Sequence, residues 1–439
     1  METVKAGLME AFQARFRFAG GRFIAAAPSG APREAQPFGP TQWQAVGRDV
    51  RLLHEAYTSG KGSFRHESNP IHGAPAGYQF YFLPRNLFRV WEVLHALPWQ
   101  EERGAALPEL WRAPTGGEVP FSLLDLGCGS GAFSLAVLSW LAAWGRLPAA
   151  IHLELVDQGH GLIELAEANV RALCRRLLPQ VRLEIRTHMD GVENFLSAPR
   201  GPGKFQVAGS AMMLNELGLL LRGRAATRAA RIALPLKRLV RRGGLLLFVE
   251  PGTRKGYMNL MAIRGQAGAF PLLYPCPHGR PCPLWNARVS RWCHATRPLP
   301  HSFFFDESLR RGGRLEFSMR EVNLFGLAFQ ANDTGRPSGP FRQRKGGRVV
   351  SGRLPAVRNV GPKKAGAKKA GAKRPARPTK KKGSPGRDAP PERVLLCTQI
   401  GKLEEVLPPA GERHPRGVWL DELPEQTPPT GARAWEKAR

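Results

Sequence analysis

The pattern of hydrophobic and polar residues changes along the chain near residue 121. Before this point it is helical, because LFRVWEVLHAL (87–97) repeats its apolar residues at the spacing of one helix face. The preceding YQFYFLPRN predicts an extended segment that ends at Pro84. After residue 121 short apolar runs alternate with amphipathic stretches. This alternation predicts strands and helices in turn, and so an α/β fold whose largely parallel sheet carries helices on both faces.

The chain divides into four regions on this pattern. We expect a mainly helical N-terminal region (1–120), an α/β core (121–333), a basic Lys/Ala/Pro-rich insertion predicted to be disordered (334–387), and a C-terminal extension with a strand pair (388–439). The predicted strands of the core are FSLLDLG, AIHLELVD, VRLEIRTHMD, KFQVAGSAMML and GGLLLFVEPG, followed by one or two strands within 313–330.

A glycine-rich turn follows the first of these strands. In LLDLGCGSGAFSLAV the pattern D-x-G-x-G-x-G joins a strand to a helix, a context typical of the S-adenosylmethionine loop of class I methyltransferases. Glycines permit a tight turn and a close approach of the ligand to the backbone. Acids at the ends of the next strands can accept hydrogen bonds from ribose hydroxyls and contact an adenine edge. The alternative is a turn that serves strand-to-helix packing alone. The predicted binding residues are Asp125, Gly127, Gly129, Gly131, Asp157 and Asp190.

No catalytic residue can be assigned from the sequence. The fourth strand ends in AMMLNELG (211–218), where many base-amine methyltransferases carry an Asn/Asp-Pro-Pro-aromatic motif, and here the prolines and the aromatic residue are missing. Asn215 and Glu216 are expected either to line the pocket or to cap a helix. Glu250, at the end of the fifth strand, is either a pocket residue or a solvated loop carboxylate.

The charge of the chain indicates a polyanionic partner. The formal net charge is +30, and residues 334–387 contain 18 Lys or Arg with no Asp or Glu, which leaves +12 on the rest. Such a tract favours binding to nucleic-acid phosphates, and the alternative is a solvated linker. No apolar run reaches the roughly 18 residues of a membrane span, so no membrane partner is expected.

The N-terminal sequence indicates a reducing compartment. METVKAGLMEAFQARFRFAGGRF lacks a continuous apolar run and contains Glu2 and Glu10, so it does not resemble a secretion signal and matches a mitochondrial transit peptide poorly. We therefore expect a bacterial cytoplasm rather than a mitochondrial matrix. In either compartment clustered thiols favour metal binding or catalysis over disulfides.

Three of the six cysteines lie in one stretch, PCPHGRPCPLWNARVSRWCH (275–294), which we call the cysteine box. Their spacing, C-x5-C-x10-C, favours a metal site that needs a fourth ligand. The rival interpretation is a Pro-Cys nucleophile of the kind that RNA 5-methylcytosine enzymes use, and inert thiols are a third. The spacing alone leaves the fourth ligand open among His278, His294, Cys128, Cys174 and Cys397.

Several motifs, in order along the chain, carry a family resemblance. They are YFLPRNLFRVWEVLHAL, LLDLGCGSGAFSLAV, LELVDQGHGLIELAEANV, MMLNELG, LLLFVEPGTRKGY and PCPHGRPCPL with RWCH. Together they resemble the methyltransferase-like protein 17 family, which comprises assembly factors of the mitochondrial small ribosomal subunit and their bacterial relatives. The resemblance covers roughly 75–400, and the cysteine box is its most specific part. RGVWLDEL (416–423) resembles a degenerate copy of the family's terminal Trp-Gly-Asp motif, with Leu420 in place of the glycine.

This resemblance implies a class I methyltransferase fold with a cysteine-ligated [4Fe–4S] cluster. The ligands carried over are Cys276, Cys282 and Cys293 of the box and Cys397 of the C-terminal extension. It also implies binding of small-subunit ribosomal RNA and proteins, with S-adenosylmethionine as a possible second cofactor and no DNA partner. Two functions follow as hypotheses: a ribosome assembly or translation factor, or an active ribosomal RNA methyltransferase.

Overall fold

The structure is a computed structural model. It describes residues 2–25, 36–58, 74–97, 120–144, 147–198, 204–217, 225–266, 270–276, 282–286, 292–299, 304–315, 321–331, 348–351, 394–397 and 403–406. The helices of this part of the chain are α1 (Glu2–Arg15), α2 (Pro40–Thr58), α3 (Pro75–Gly77), α4 (Leu83–Ala96), α5 (Ala132–Trp144), α6 (His160–Leu177), α7 (Val192–Ser197), α8 (Met213–Glu216), α9 (Ala225–Leu239), α10 (Arg254–Gln266), α11 (Pro283–Asn286) and α12 (Asp306–Arg311). A π-helical turn, Tyr78–Phe82, joins α3 to α4.

The strands of the described residues belong to three sheets. They are β1 (Phe16–Ala19), β2 (Arg22–Ala25), β3 (Phe121–Leu126), β4 (Ala150–Asp157), β5 (Arg182–Met189), β6 (Phe205–Ala211), β7 (Val240–Pro251), β8 (Leu272–Tyr274), β9 (Ala295–Pro298), β10 (Glu321–Gln330), β11 (Arg348–Ser351), β12 (Val394–Cys397) and β13 (Leu403–Val406). Strands β1 and β2 form a hairpin, and β11, β12 and β13 form a small antiparallel sheet.

The central sheet has eight strands among the described residues, in the order β5-β4-β3-β6-β7-β10-β8, with β9 paired to β10. The first five strands are parallel, and β10 is antiparallel to β7. The strand order reverses between β3 and β6, and ligands of α/β folds bind beyond the carboxyl ends of the strands at such a point. The five parallel strands and the inserted antiparallel strand make up the class I methyltransferase-like fold, so the predicted core is confirmed, and the cysteine-ligated extension stays a prediction.

Two hydrophobic clusters cover the two faces of this sheet. Alternate side chains of a strand point to opposite faces, so Leu123 of β3 joins one cluster and Leu124 joins the other. Helices α5 and α6 lie in the first cluster, and α9 and α10 lie in the second. Buried aromatic rings of the N-terminal region, such as Phe12 and Phe80, belong to the first cluster. The N-terminal region and the core therefore share one hydrophobic interior.

The segment before α4 differs from the prediction. YQFYFLPRN was expected to be extended, and instead it continues a helix through the π-helical turn into α4. Pro84 is the second residue of α4 and comes directly after the π-helical turn, so the helix runs through the proline and does not stop there.

The basic insertion also differs in part from the prediction. Strand β11 lies inside 334–387 and pairs with β12, so the insertion is not disordered throughout. The consecutive Val349 and Val350 favour a strand in a stretch otherwise rich in Arg, Gly and Pro. The Lys/Ala/Pro-rich part, 361–387, and the RGVWLDEL motif lie outside the described residues. Within the described residues no helix combines the length and the apolar composition that crossing a bilayer requires.

Candidate functional site

The glycine-rich loop lies at the carboxyl end of β3. Gly127, Gly129 and Gly131 all have positive φ angles, of 60°, 52° and 95°. A Cβ on Gly129 would lie 2.8 Å from the Tyr78 hydroxyl oxygen, and one on Gly127 would clash with the Met213 side chain. Both the backbone conformation and the close neighbours therefore require glycine at these two positions.

Asp125 anchors the loop from inside the sheet. Its side chain is fully buried, and one carboxylate oxygen accepts hydrogen bonds from the Ser134 amide at 3.1 Å and the Ser134 hydroxyl at 2.6 Å. Burial raises the pKa of Asp125 to about 7, and the hydrogen bonds from Ser134 oppose this shift. Asp125 thereby ties the end of β3 to the first turn of α5, where the loop returns.

Asp157 and Asp190 lie at the neighbouring strand ends. One carboxylate oxygen of Asp157 accepts a hydrogen bond from the Gly129 amide, and the other accepts one from the Gly159 amide, each at 2.8 Å. Asp190 accepts the amide of Gly191 at 2.7 Å, and its own amide donates to the Asp157 carbonyl at 3.1 Å. The structure thus brings the three predicted acids and the glycine loop to one edge of the sheet. Asp157 and Asp190 are only half-buried, so a ligand at this edge can reach their carboxylates, whereas Asp125 is fully buried.

Tyr78 was missed by the sequence analysis, because its segment was predicted to be extended. The π-helical turn brings its hydroxyl to Gly129, and π-helical turns are frequent at functional sites. Burial raises the pKa of Tyr78 well above its ordinary value, and the nearby charges of Glu216 and Asp157 raise it further. Tyr78 is therefore a protonated phenol among the acids of the loop site.

The turn after β6 is held by buried polar side chains. Met212 has a φ of 68°, and α8 begins directly after it. The Glu250 carboxylate accepts the amide of Leu214 at 2.9 Å, and the Asn259 side chain donates to the carbonyl of Leu214 at the same distance. Glu250 is fully buried, and this burial raises its pKa well above the ordinary range. Glu250 is thus a buried side chain that stabilises the turn, and the interpretation as a solvated loop carboxylate is wrong.

The three cysteines of the box lie near one tyrosine of α10. The Tyr257 hydroxyl oxygen and Cys282 Sγ are 3.4 Å apart, and Arg264 donates to Cys276 Sγ at 3.1 Å. Burial raises the pKa of Tyr257 most, and the charges of Cys282, Cys293 and Cys276 raise it further, in that order. The three thiols come from three separate described segments, and all three lie within electrostatic range of one phenol, which Cys282 contacts directly. We call this group the thiol cluster.

The thiol cluster fits a thiolate-bound metal only in part. Its chemistry is suitable, since thiolates are the soft ligands that zinc and iron–sulfur clusters prefer. Among the described residues, however, no three His, Cys, Asp or Glu side chains are arranged to hold a metal ion. Cys397 is on β12, paired with Arg348 and Leu403, and the position of its side chain lies outside what the structure describes.

Two of the alternative fourth ligands lie on the wrong face of the sheet. Cys128 and Cys174 are buried in the hydrophobic cluster that covers one face, whereas Cys282 and Cys293 are buried in the other. Burial raises the pKa of Cys174 to about 12, as expected for a structural thiol. His294 is buried, with its ring nitrogen 3.2 Å from the Trp292 carbonyl oxygen and its ring stacked on Trp292. His278 lies outside the described residues.

Solved structures of methyltransferases resemble the chain at low identity. An arsenic(III) S-adenosylmethionine methyltransferase from Chlamydomonas reinhardtii is 14% identical, with 52% of this chain and 74% of that chain covered and a TM-score of 0.28. A methyltransferase from Methanosarcina mazei is 16% identical, with 49% and 94% covered and a TM-score of 0.29. One from Leishmania major is 12% identical, with 65% and 83% covered and a TM-score of 0.28. These scores are too low to support any conclusion about function.

The family comparison concerns the segment that carries the thiol cluster. No curated protein matches the chain. The model of the family described as mitochondrial small ribosomal subunit Rsm22 matches residues 222–302, which include α9, α10 and the whole cysteine box. The match supports the family resemblance given by the sequence, and it covers residues 222–302 of this chain.

Proposed function

We propose that this protein is an assembly or translation factor of the small ribosomal subunit, in which an iron–sulfur cluster is attached to a methyltransferase-like core. The observation that carries the proposal is the family match over 222–302, whose family is described as part of the mitochondrial small ribosomal subunit. The same segment contains the thiol cluster. The net charge of +30 supports a partner rich in phosphate, such as ribosomal RNA.

The glycine loop is proposed to bind S-adenosylmethionine. Asp157 would accept the ribose hydroxyls and Asp190 would meet the adenine edge, while the backbone at Gly127, Gly129 and Gly131 would approach the amino-acid part of the ligand. The bound ligand supplies a sulfonium methyl group. Asp125 holds the loop from within the sheet, and the Tyr78 hydroxyl lies beside Gly129.

The thiol cluster is proposed to hold a [4Fe–4S] cluster with Cys276, Cys282, Cys293 and Cys397 as ligands. A cluster bound by these residues would tie the box to the strand pair of the C-terminal extension. The roughly one hundred residues between Cys293 and Cys397 cost little extra closure entropy, because that cost grows only with the logarithm of loop length. Arg264 and Tyr257 would donate hydrogen bonds to thiolate sulfur atoms, which favours the charged form. The proposed role is structural.

An active ribosomal RNA methyltransferase is the second candidate function, and the intact glycine loop favours it. The turn after β6 counts against amine methylation, because it lacks the Pro-Pro-aromatic motif and is held by Glu250 and Asn259. A cysteine nucleophile is disfavoured at Cys282, which is buried against Tyr257. The hydrogen bond from Arg264 to Cys276 favours a thiolate, which suits a metal ligand and a nucleophile alike.

The test is to delete the gene for this protein in its source organism and to complement the deletion with the wild-type gene or with the Asp157→Ala variant. We expect a shortage of small subunits on sucrose gradients after deletion, and the tagged protein should sediment with small-subunit particles. Rescue by Asp157→Ala with an unchanged map of methylated nucleotides supports the assembly factor. A methylated nucleotide that disappears in both the deletion and the Asp157→Ala strain establishes the enzyme instead. Unaltered small subunits after deletion would contradict the proposal.

The compartment is proposed to be a bacterial cytoplasm, and a mitochondrial matrix is the alternative that the family description favours. Fractionation of the source cells decides between them.

A further inference from the structure

Helix α9 has one side in the core and one side in solvent. The buried side consists of fully buried small and aliphatic side chains: Ala229, Ile232, Ala233 and Leu236. On the other side Arg231, Leu234 and Arg238 are exposed, at positions i, i+3 and i+7 of one helix face. Two helical turns separate the two arginines, which places them roughly 10 Å apart along the axis.

The charge of this face is not balanced by acids. The sequence from 217 to 249 contains eight Lys or Arg and no Asp or Glu. Among the described residues, neither Arg231 nor Arg238 forms an ion pair with a carboxylate. Arg228 of the same helix behaves differently, since it pairs with Glu193 at 3.2 Å and donates to the Leu217 carbonyl at 2.6 Å.

Helix α6, on the opposite face of the sheet, shows the contrary arrangement. Its Arg171 pairs with Glu167 at 2.7 Å, and Arg175 and Arg176 pair with Glu10 of α1 at 2.5 and 2.8 Å. Arginines on α6 are thus neutralised within the protein. Within the described residues, Arg231 and Arg238 of α9 therefore contrast with the paired arginines of α6, and both lie inside the segment that matches the family model.

We propose that the exposed face of α9, formed by Arg231, Leu234 and Arg238, binds the phosphate backbone of folded RNA. The inference rests on the proposed function for its partner class, and it assigns the contact to a surface that lies outside both cofactor sites. Two guanidinium groups about 10 Å apart along the axis can contact phosphates of one RNA helix, and guanidinium forms paired hydrogen bonds with phosphate oxygens.

An anionic membrane is the other partner that a basic helix can meet. Helices that lie on a membrane bury a wide apolar face in it. Ile232 and Leu236 of α9 are buried in the protein core, and Leu234 is exposed, at 48%. One leucine between two arginines favours a phosphate backbone over a lipid surface.

The test compares two double variants of the full-length protein by fluorescence polarisation with a labelled RNA hairpin over a range of salt concentrations. Arg231→Gln/Arg238→Gln removes the proposed contacts. Arg171→Gln/Arg311→Gln is the matched control, since it removes two exposed arginines that are each held in an ion pair four residues away on a helix. We expect the salt slope of log K to fall by about two in the α9 variant, with about a tenfold loss of affinity at physiological salt. Both values should change little in the control, and Arg231→Lys/Arg238→Lys should restore most of the slope.

Four outcomes would overturn the inference. Equal losses in the two double variants would mean that only net charge matters. If the wild type and both variants bind the hairpin equally well, the RNA contact lies elsewhere on the protein. The proposed function would then keep its RNA partner. A wild type that does not bind the hairpin would contradict that partner and this surface together. Vesicles with anionic lipid complete the test, because an α9 variant that loses vesicle binding and keeps RNA binding would assign the face to a membrane.

Discussion

The glycine loop and the thiol cluster are two sites built in different ways. The loop lies between consecutive parallel strands, and its acids are hydrogen-bonded to backbone amides, as Asp157 is to Gly129. The thiol cluster draws its residues from separate segments, and within the described residues they make no arrangement that would hold a metal. A site made from backbone can form before its ligand arrives. A site made from thiolates is completed by the metal, whose binding energy is then part of the folding energy.

The strongest way to break this comparison is to remove thiolate ligands. We expect anaerobically purified wild type to hold about four irons per chain, and Cys276→Ser and Cys397→Ser to lose nearly all of them. Cys174→Ser is the matched control, because this thiol is buried on the opposite face of the sheet and should leave the iron in place. Iron, sulfide and zinc analysis with an absorption spectrum provides the measurement. One zinc per chain that survives Cys397→Ser would refute the remote fourth ligand.

A methyl group on the glycine loop should have the next largest effect. Gly127→Ala adds a Cβ at a φ of 60° and against the Met213 side chain, so we expect a loss of about 2–4 kcal/mol in the free energy of unfolding. Gly161→Ala is the control in α6, where a Cβ has nothing within 4 Å and replacing glycine in a helix stabilises by up to about 1 kcal/mol. Urea unfolding measures both. Equal effects would mean that the loop is not preformed.

The pH dependence of stability sharpens the comparison for the loop. Burial raises the pKa of Asp125 to about 7 in the folded protein, whereas an unfolded Asp titrates near 3.9. Between these values the folded state binds the extra proton, so stability should fall as pH rises from about 4 to about 7, by at most about 1.4 kcal/mol per pH unit. Asp125→Asn should flatten this part of the profile, measured by urea unfolding at several pH values. An unaltered slope would show that other groups produce it.

The smallest effect is expected at the rim of the loop. Tyr78→Phe removes the hydroxyl beside Gly129 and keeps the ring, so we expect a several-fold loss of affinity for S-adenosylmethionine, about 1 kcal/mol, in calorimetric titration. Tyr81→Phe is the control from the same π-helical turn. The Tyr81 ring packs against the Arg85 guanidinium, whose central carbon lies 3.8 Å from the ring centroid, and not against the glycine loop. Indistinguishable affinities in the two variants would remove Tyr78 from the site.

Much of the core could be predicted because its signals are local. The apolar runs of β3 and β7 and the glycines after β3 report on backbone preferences that act within a few residues. The prediction of an extended segment at Tyr78–Phe82 was wrong because aromatic residues suit a strand as well as a buried helix. Packing of this segment against α1 and α2 favours the helix.

The sequence by itself determined the strand–helix alternation, the glycine loop with its acids, and the box of three cysteines, since each is a matter of neighbours along the chain. Only the tertiary structure decided that Tyr78 reaches Gly129, that Glu250 is buried beneath the turn after β6, and that Cys128 and Cys174 lie on the face away from the box. The physical reason is that the face of the sheet on which a side chain is buried depends on long-range packing. Residues far apart in the chain set that packing, and no local pattern records it.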